Sequence, residues 1–413
     1  MTSTQEARTY VLSFCEPLAP TEVPLTEALG LVLAGPVRAR DAVPPFANSS
    51  MDGYAVRSQD VAGAPARLRV VGQLMAGDDP AGAQVRPGEA VRIMTGAALP
   101  EGADAVCMVE RTTLDGSGWV VVEEAVAPRA NVRPVGDDIA AGQDVFGAGE
   151  VVGPAHIGVL ASVGAQMVRV TPKPRVGVVS TGDELVEPGA PLGAGKIRDS
   201  NRPALLSALR LDGFQAVDLG HAPDDEGALA RAIELAAEHC DAVLTSGGVS
   251  VGDRDLVKVV LGQLGGQSAR WFQVAVRPAK PFAFCVLPRG TAIFGLPGNP
   301  VSALVSYELF ARPALRRMGG HRLLGRPVLL AKAAEDLQRE PDGKLHLLRV
   351  LLSVGSDGDL EVARSGGQGS HQMLPLARAN ALALLPDGPG VRAGERVSAW
   401  LLSAEPLSSD PAR

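Results

Sequence analysis

The sequence predicts a multidomain protein of mixed α/β and β structure, arranged around one doubly wound α/β domain. A chain of 413 residues exceeds what a single hydrophobic core usually holds, so several domains are expected. Strand-like and helix-like segments alternate from residue 172 to residue 320, which is typical of a mainly parallel sheet covered by helices. Short β-like segments with frequent turns lie on both sides of this region.

The regions flanking the α/β domain predict three further domains. Residues 1–42 and 142–171 contain the helix-like stretches STQEARTYVLSF, TEALGLVLA and GPAHIGVLASVG, and are expected to form one helical linker domain. Residues 43–141 contain short strand-like segments and predict a β-rich domain inserted into it. Residues 321–413 predict a small C-terminal domain that resembles a β-barrel.

Composition and charge exclude several classes of function. The net charge of −7 argues against a general nucleic-acid surface, and no apolar run is suited to crossing a membrane. The N-terminal residues lack the pattern of a signal peptide. The four cysteines are widely scattered without zinc-type spacing, which favours buried thiols in a reducing compartment. We therefore expect a cytoplasmic protein without membrane or nucleic-acid partners.

Three polar loops follow predicted strands of the α/β domain, at residues 180–187, 245–255 and 295–300. Ligands of open α/β sheets bind beyond the carboxyl ends of the strands, and loops rich in Gly, Ser and Thr bring backbone N–H groups close to an oxyanion. Together the loops predict an anion or phosphate site. The candidate binding residues in and beside them are Ser180, Thr181, Gly182, Ser246, Gly247, Gly248, Ser250, Pro297, Gly298, Asn299 and Ser302.

The third loop, in GLPGNPVSALVSYELF (295–310), has two interpretations. Asn299 is a favourable N-cap and Pro300 stands where helices prefer a first-turn proline, so the loop is explained by capping alone. In the second interpretation, the N–H groups of Val301 and Ser302 point out of the helix end and bind an anion.

The segment GVSVG (248–252) also matches the G-x-S-x-G pattern of a serine-hydrolase elbow, with Ser250 as the nucleophile. Two glycines separate the strand from this segment's centre, and no HGGG-type oxyanion segment occurs in the sequence. A loose glycine-rich loop therefore fits this segment better than a strained elbow.

Carboxylates recur in the polar loops, and each of them alone is explained as a cap or turn residue. Acids from several strand ends of one sheet would nevertheless converge, and beside an anion they require a cation such as Mg²⁺. Arg277 and Lys280 in VRPAKP (276–281) supply positive charge, or are solvated surface residues. The carboxylates are Asp52, Asp137, Asp138, Asp183, Glu184, Asp224, Asp225, Asp253 and Asp255.

Eight motifs occur together in one order along almost the whole chain: SSMDGYAV, VRIMTGAALPEGADAV, NVRPVGDDI, VVSTGDEL, TSGGVSVGDRD, RPAKPFAF, GLPGNPVSALVSYELF and GSHQML. In this combination the chain closely resembles the molybdopterin molybdenumtransferase (MoeA-type) family, to which the C-terminal region of gephyrin is also similar. The resemblance implies a homodimer of elongated four-domain subunits. It implies that molybdate is inserted into adenylylated molybdopterin (molybdopterin-AMP) with Mg²⁺ and release of AMP.

The resemblance also assigns residues by motif. It implies that Glu184, Asp224 and Asp255 hold the metal, and that Ser370 and Arg349 lie in a tail domain facing the α/β domain of the other subunit. It further implies catalytic roles for Glu184, Asp255, Asp52, Thr95, Asp138 and Lys280, and cofactor contacts for Asp224, Arg277, Arg349 and Ser370.

Three points depart from the family pattern or stay open. The family shows Lys-Pro-Gly-Lys-Pro where this chain has RPAKP, so Arg277 replaces a lysine, although a guanidinium also binds phosphate well. Asp137 stands where the family commonly has Glu. The motif does not decide between Asp224 and Asp225.

Two alternative functions stay open at this point. The α/β domain alone resembles that of molybdopterin adenylyltransferases, although stand-alone enzymes of that kind lack the flanking domains. A non-catalytic molybdopterin-binding scaffold is the other alternative. Expected partners are a molybdopterin adenylyltransferase and acceptor molybdoenzymes, and the preference between molybdate and tungstate is left undecided.

Overall fold

The structure is a computed structural model that describes residues 1–248 and 256–403. The chain divides into two compact units, Met1–Thr21 with Thr171–Arg413, and Glu22–Val170. The finer division into four domains remains a prediction. Within the described ranges, no helix is both long enough and apolar enough to cross a membrane.

The first 171 residues are rich in short strands. A 3-10 turn, Leu25–Glu27, follows β1, and two more 3-10 turns span Ser58–Val61 and Val109–Arg111. The helices and strands are α1 (Thr4–Leu12), β1 (Thr21–Pro24), β2 (Val32–Leu33), β3 (Val37–Arg38), β4 (Asn48–Ser49), β5 (Gly53–Val56), β6 (Ala66–Leu74), β7 (Glu89–Ile93), β8 (Ala105–Met108), β9 (Thr112–Leu114), β10 (Trp119–Val122), β11 (Val132–Arg133), β12 (Asp144–Phe146), α2 (Pro154–Ser162) and β13 (Met167–Thr171).

A six-stranded sheet in the order β8-β5-β7-β6-β10-β9 dominates the unit Glu22–Val170. Alternating side chains of its strands enter two separate apolar clusters, as expected for a sheet packed on both faces. The predicted helix over TEALGLVLA is wrong. Gly30, with φ of +74°, interrupts it, and β2 instead pairs in a three-stranded sheet with β13.

The predicted strand–helix alternation is confirmed between residues 172 and 320. A 3-10 turn, Gly266–Ser268, follows α5, and one π-helical segment, Tyr307–Ala311, joins the last two helices. The elements are β14 (Arg175–Thr181), β15 (Leu185–Val186), β16 (Ile197–Arg198), α3 (Asn201–Leu211), β17 (Gln215–Ala222), α4 (Glu226–Ala237), β18 (Ala242–Ser246), α5 (Leu256–Gly265), β19 (Arg270–Gln273), β20 (Val276–Arg277), β21 (Pro281–Val286), β22 (Ala292–Leu296), α6 (Pro300–Ser306) and α7 (Arg312–Met318).

The sheet of this domain has the order β17-β14-β18-β22-β21-β19. Its first four strands are parallel, β21 is antiparallel to β22, and β19 is antiparallel to β21. Helices cover both faces of the sheet. Neighbouring residues of one strand point to opposite faces, so each face buries its own set of apolar side chains against helices. Val178 packs with Leu205 of α3 in one apolar cluster, while Val179 packs with Ile233 of α4 in the other. The domain is therefore doubly wound.

Helix α1 belongs to the core of the α/β domain. Its N-cap Ser3 accepts a hydrogen bond from the Glu6 N–H, and the Glu6 carboxylate accepts one from the Ser3 N–H, which forms a capping box. Ala7 and Val11 of this helix are fully buried among the side chains of the α/β domain. Amphipathic packing therefore attaches this segment to the central domain.

The C-terminal region forms a small closed barrel. Strands β25, β26, β23, β29 and β27 pair in that order, and β27 pairs back with β25. Closure leaves none of these five strands with a free edge. The elements are β23 (Val328–Ala333), β24 (Leu337–Gln338), β25 (Leu345–Val354), β26 (Leu360–Arg364), α8 (Met373–Arg378), β27 (Ala381–Leu385), β28 (Gly390–Val391) and β29 (Arg396–Leu401).

A buried ionic cluster joins the end of α3 to the π-helical segment and to the chain leading into the barrel. Its centre is Asp212, whose side chain is 5% exposed. The Asp212 carboxylate accepts hydrogen bonds from Tyr307 Oη at 2.7 Å, Arg312 Nε at 3.0 Å and Arg326 Nη2 at 3.3 Å. Burial, and then the neighbouring Asp212 charge, raises the pKa of Tyr307. The carboxylate is thus the shared acceptor of three side chains.

Replacing Asp212 should destabilise the protein strongly, because the buried Tyr307 hydroxyl and Arg312 guanidinium would lose their shared acceptor. Glu308 would remain as the described carboxylate next to Arg312 and Arg326. We expect Asp212→Ala to cost about 3 kcal/mol and to lower the thermal unfolding midpoint. Asp359 is the matched control, since its side chain is 53% exposed beside Lys332. Asp359→Ala should cost less than about 1 kcal/mol. Equal shifts of the two midpoints in calorimetry would contradict the assigned role.

Candidate functional site

The loops after three neighbouring parallel strands line one open cavity of about 1440 Å³. Ser180 of β14 pairs in register with Ser246 of β18, and Ser246 pairs with Leu296 of β22. The three strands therefore end at the same edge of the sheet, where ligands of such sheets bind. Further lining comes from β16, the starts of α3 and α4, helix α5, Pro281 and, from the barrel region, His371.

Asp224 holds the loop that follows β14. Its Oδ1 accepts a hydrogen bond from Thr181 Oγ1 at 2.8 Å, and its Oδ2 accepts one from the Asp183 N–H at 3.1 Å. The Asp224 N–H in turn donates to Asp183 Oδ1 at 3.2 Å. Asp225 instead caps α4, because its Oδ1 accepts a hydrogen bond from the Ala228 N–H at 2.8 Å. The geometry therefore separates the two acids that the sequence left undecided.

Glu184 lies exposed on the cavity wall, and its carboxylate has no partner among residues 1–248 and 256–403. Among the described residues, its side-chain oxygens accept no hydrogen bond. A Cβ on Gly182 would lie 2.7 Å from Glu184 Oε2, so the glycine leaves space for the carboxylate. His221 Nε2 lies 2.9 Å from the Gly182 carbonyl, which only accepts, so this nitrogen carries the proton. Glu184 thus stands on a fixed turn and is free to meet a ligand.

Ser180 lies behind the cavity wall. It is fully buried, and its Oγ donates to Asp199 Oδ2 at 2.6 Å. The same carboxylate oxygen accepts from Arg202 Nε at 3.1 Å. The sequence predicted Ser180 as a ligand contact, whereas the structure gives its hydroxyl an internal partner.

Asn201, the first residue of α3, connects two of the three loops. Its Nδ2 donates to Ser246 Oγ at 2.8 Å and to the Gly298 carbonyl at 2.7 Å. Both amide hydrogens are used, and Asn201 itself lines the cavity. The sequence does not point to Asn201, because an asparagine at a helix start is most simply explained as a local cap. Its partners are 45 and 97 positions away in the sequence.

The loop after β18 is in contact with the loop after β14. Gly247 has φ of +101°, and a Cβ there would lie 2.2 Å from the Thr181 carbonyl oxygen. A Cβ on Gly248, where φ is +65°, would lie 2.7 Å from Val257 Cγ2. Only glycine accommodates both the dihedral angles and these approaches. The predicted residues Ser250 and Asp255 lie outside the described residues.

The structure confirms the predicted start of α6, but a backbone N–H of its first turn is already hydrogen-bonded within the chain. Asn299 occupies the N-cap position without a side-chain cap bond, and Pro300 is the first helical residue. The expectation of a free Val301 N–H is wrong, since this group donates to the Ser370 carbonyl at 3.0 Å. Pro297, Gly298, Asn299 and Ser302 all line the cavity.

Arg349 is buried beneath the loop that carries Ser370. It is 1% exposed, and its Nη2 donates to the carbonyls of Gly367 at 2.9 Å and Gly369 at 3.1 Å. Its Nε has no hydrogen-bond partner among the described residues, and burial lowers the pKa of the guanidinium to about 10. The resemblance implied that this region faces the other subunit. Within the described chain, the Ser370 carbonyl accepts a hydrogen bond from the Val301 N–H, and the contact with another subunit stays a prediction.

The two basic side chains of RPAKP (277–281) lie beside the cavity rather than in its wall. Arg277 is exposed and Lys280 is half-buried, and neither side chain forms a hydrogen bond or ion pair with the part of the chain that is described. Pro281, the next residue, does line the cavity. Ala279 has φ of +81°, a backbone conformation that favours the glycine found here in the family pattern.

The remaining predicted residues lie in the unit Glu22–Val170. Asp52 Oδ1 accepts hydrogen bonds from the Thr95 N–H and from Thr95 Oγ1, both at 2.8 Å. These bonds, the backbone one first, lower the pKa of Asp52. Asp138 is exposed, and its N–H donates to the Val43 carbonyl at 2.9 Å. Thr95 and Asp52 thus form a pair that does not include Asp138.

The described acids do not form a preassembled metal cage. Within the two described ranges, no group of three His, Cys, Asp or Glu side chains is arranged to hold a metal ion. The predicted metal ligands Glu184 and Asp224 both line the cavity, and Asp255 is outside those ranges. The four cysteines are buried and unpaired.

Three family models match the chain in succession. The MoeA N-terminal region (domain I and II) matches residues 2–164, and a probable molybdopterin binding domain matches residues 177–317. The MoeA C-terminal region (domain IV) matches residues 331–402. Apart from His371, the described residues that line the cavity lie in the second of these regions.

Known proteins are similar to this chain over almost its full length. It is 39% identical to molybdopterin molybdenumtransferase 2 of Mycobacterium tuberculosis, covering 98% of this chain and 100% of that protein. It is 38% identical to the molybdopterin molybdenumtransferase of Haemophilus influenzae, covering 91% of this chain and 92% of that protein. The crystal structure of the molybdopterin biosynthesis MoeA protein from Pyrococcus horikoshii has a TM-score of 0.83 and 31% identity, covering 98% of this chain and 100% of that chain.

Substituting Gly247 should displace two of the cavity loops. We expect Gly247→Ala to cost about 2 kcal/mol, because the methyl group meets a backbone carbonyl and the left-handed conformation is strained. Gly262 in the exposed part of α5 is the matched control, since a Cβ there meets nothing within 4 Å. Gly262→Ala should leave the thermal unfolding midpoint equal or slightly higher. A Gly247→Ala midpoint equal to that of the control would contradict the close approach.

Proposed function

The chain belongs to the MoeA-type molybdopterin molybdenumtransferase family, and we propose that it inserts molybdate into adenylylated molybdopterin at this cavity, with release of AMP. The coarser activity follows from the family, which acts in molybdenum cofactor biosynthesis. The observation that supports the finer proposal is the set of three glycine-rich loops around one cavity with a free Glu184 carboxylate.

Charge explains why this cavity needs a cation to bind its substrate. Its described lining contains two basic side chains, Arg198 and His371. An adenylylated pterin and molybdate are both anions, and carboxylates at this density repel them unless positive charge intervenes. The six acidic residues of the described lining are Asp183, Glu184, Asp199, Asp224, Asp225 and Glu226.

The residues present fit a hydrated Mg²⁺ ion. Mg²⁺ keeps several waters and needs one or two carboxylates together with substrate phosphate, so the absence of a three-residue cage among the described side chains is compatible with it. Glu184 offers unbonded oxygens, and the Asp224 oxygens retain lone pairs beyond the two that hold the loop. Mg²⁺ bound there supplies Lewis-acid neutralisation of phosphate charge.

The protein itself orients the substrate in this proposal. The glycine-rich backbone after β14 and β18 approaches the phosphates. Asp224 holds the loop after β14 in shape, and Asn201 connects the loops after β18 and β22. Arg349 Nε is a buried donor without a partner in the described part of the chain, and it belongs to the guanidinium that anchors the loop of Ser370. Arg349 is not among the residues that line the cavity, so its part in this proposal is to hold that loop in place.

Dimerisation and a cytoplasmic location belong to the same proposal. The family resemblance implies the homodimer, and the scattered cysteines and the lack of a signal-peptide pattern favour the location. Sedimentation of the purified full chain tests the first: a single species at twice the 42.6 kDa mass supports the homodimer, and a monomer contradicts it.

Removing the free carboxylate should abolish most of the activity. We expect Glu184→Ala to lower molybdate-dependent AMP release from molybdopterin-AMP by at least about tenfold at ordinary Mg²⁺, because one ligand of the cation is lost. Glu184→Gln should behave similarly, since the amide keeps the size but loses the charge. Glu234 is exposed on α4 outside the cavity, so Glu234→Ala serves as control and should match the wild type.

Three outcomes would contradict this proposal. Unchanged AMP release by Glu184→Ala would remove that carboxylate from the reaction. Formation of adenylylated product from molybdopterin and ATP by the wild type, without AMP release on adding molybdate, would favour the adenylyltransferase alternative. Binding of molybdopterin with neither reaction would favour the scaffold.

A further inference from the structure

We propose that the His371 ring binds an oxyanion oxygen of the substrate in the cavity, a contact made from the barrel region. This proposal rests on the function proposed above and adds a substrate-binding side chain to it. The ligand chemistry is a tetrahedral oxyanion, which is either the adenylyl phosphate or molybdate.

His371 differs in origin from every other described residue of the cavity wall. The rest of the described lining comes from residues 181–302 of the α/β domain, whereas His371 lies between β26 and α8 of the barrel region. A side chain of a second domain therefore reaches the edge of the sheet where the three loops end. Ligand sites are common where domains meet, because groups from both sides can converge on one molecule.

The loop that carries His371 is anchored on both sides of the ring. Arg349 Nη2 donates to the Gly367 and Gly369 carbonyls, and Gln372 Oε1 accepts from the Gly369 N–H at 2.7 Å. The Val301 N–H donates to the carbonyl of the residue directly before His371, at 3.0 Å. The backbone is thus ordered before a ligand arrives, so binding through this residue requires little further ordering.

The ring itself has no partner within the described part of the chain. His221, at the same edge of the sheet, is bound through its ring nitrogen to the Gly182 carbonyl, whereas the His371 ring forms no hydrogen bond or ion pair with a described residue. An imidazole carries at least one N–H in either protonation state, so the ring can donate to an oxygen whether or not it is charged. A fixed loop therefore holds an unused donor at the cavity wall.

The other basic residue of the lining is already engaged. Arg198 Nε donates to the Pro188 carbonyl at 3.0 Å, and its Nη2 donates to the Ala190 carbonyl at 3.4 Å. Beside six acidic residues, the His371 ring is then the one basic side chain of the described lining with no internal hydrogen bond. No acceptor in the described chain competes for its N–H, so the ring can donate to an anionic substrate.

The test measures binding rather than turnover, with the purified full chain and two separate probes. AMP with Mg²⁺ is titrated in one calorimetric series and molybdate in the other. The variants are His371→Ala, which removes the donor, and His371→Asn, which keeps an N–H of similar reach. His239→Ala is the matched control, because His239 is exposed and outside the cavity.

We expect His371→Ala to lower the affinity for one of the two probes about tenfold, because one hydrogen bond to a charged group is lost. His371→Asn should stay within about threefold of the wild type, and His239→Ala should equal it. The thermal unfolding midpoint should not change in any variant. Weaker AMP binding identifies the phosphate as the partner, and weaker molybdate binding identifies the metal oxyanion.

Four outcomes would overturn the inference. If the wild type binds both probes and His371→Ala binds them equally well, the proposed function stands and the role of His371 fails. If His371→Ala and His371→Asn lose affinity only in step with a lowered unfolding midpoint, the residue is structural. If a further series, in which Mn²⁺ is titrated alone, shows weaker binding to His371→Ala than to the wild type, the ring is a metal ligand. If the wild type binds neither probe, the proposed function fails as well.

Discussion

The parallel register of β14, β18 and β22 governs how the site of this protein is built. Ser180, Ser246 and Leu296 stand side by side, so three chain segments leave the sheet at one edge and are forced to share a small space. Backbone approaches as close as that between Gly247 and Thr181 follow directly from this arrangement. The cavity is the space that these crowded loops leave between them, with helices on both faces of the sheet supporting it.

Polar side chains then set the separation of the loops. Asp224 fixes the loop after β14, and Asn201 connects the loops after β18 and β22. These bonds consume groups that sequence patterns alone assign to a ligand, as the internal partner of Ser180 also shows. What remains for the substrate is the free Glu184 carboxylate, glycine backbone and a few donors. In the proposed function, such an acidic lining would favour anions that arrive with a cation.

The barrel region contributes to this site through a single well-anchored loop. Arg349 is fully buried beneath that loop, and the Ser370 carbonyl meets the first turn of α6. The closed barrel provides the rigidity, because β25 is paired on both sides and carries Arg349 in its centre. A residue far from the α/β domain in sequence can therefore stand at the cavity wall with little freedom to move.

Local sequence patterns were sufficient for features that depend on neighbouring residues. The strand–helix alternation, the capping of α4 by Asp225 and the start of α6 at Pro300 all follow from such patterns, and the motif order identified the family. Features that depend on distant partners needed the folded chain. In the folded chain, TEALGLVLA contains a 3-10 turn and a strand, and the Val301 N–H is hydrogen-bonded. Arg349 is buried, and Asp224 holds a loop whereas Asp225 caps a helix. The physical reason is that each of these outcomes depends on hydrogen bonds or packing contacts with residues distant in the sequence. A local sequence pattern does not specify which distant residue will make the contact.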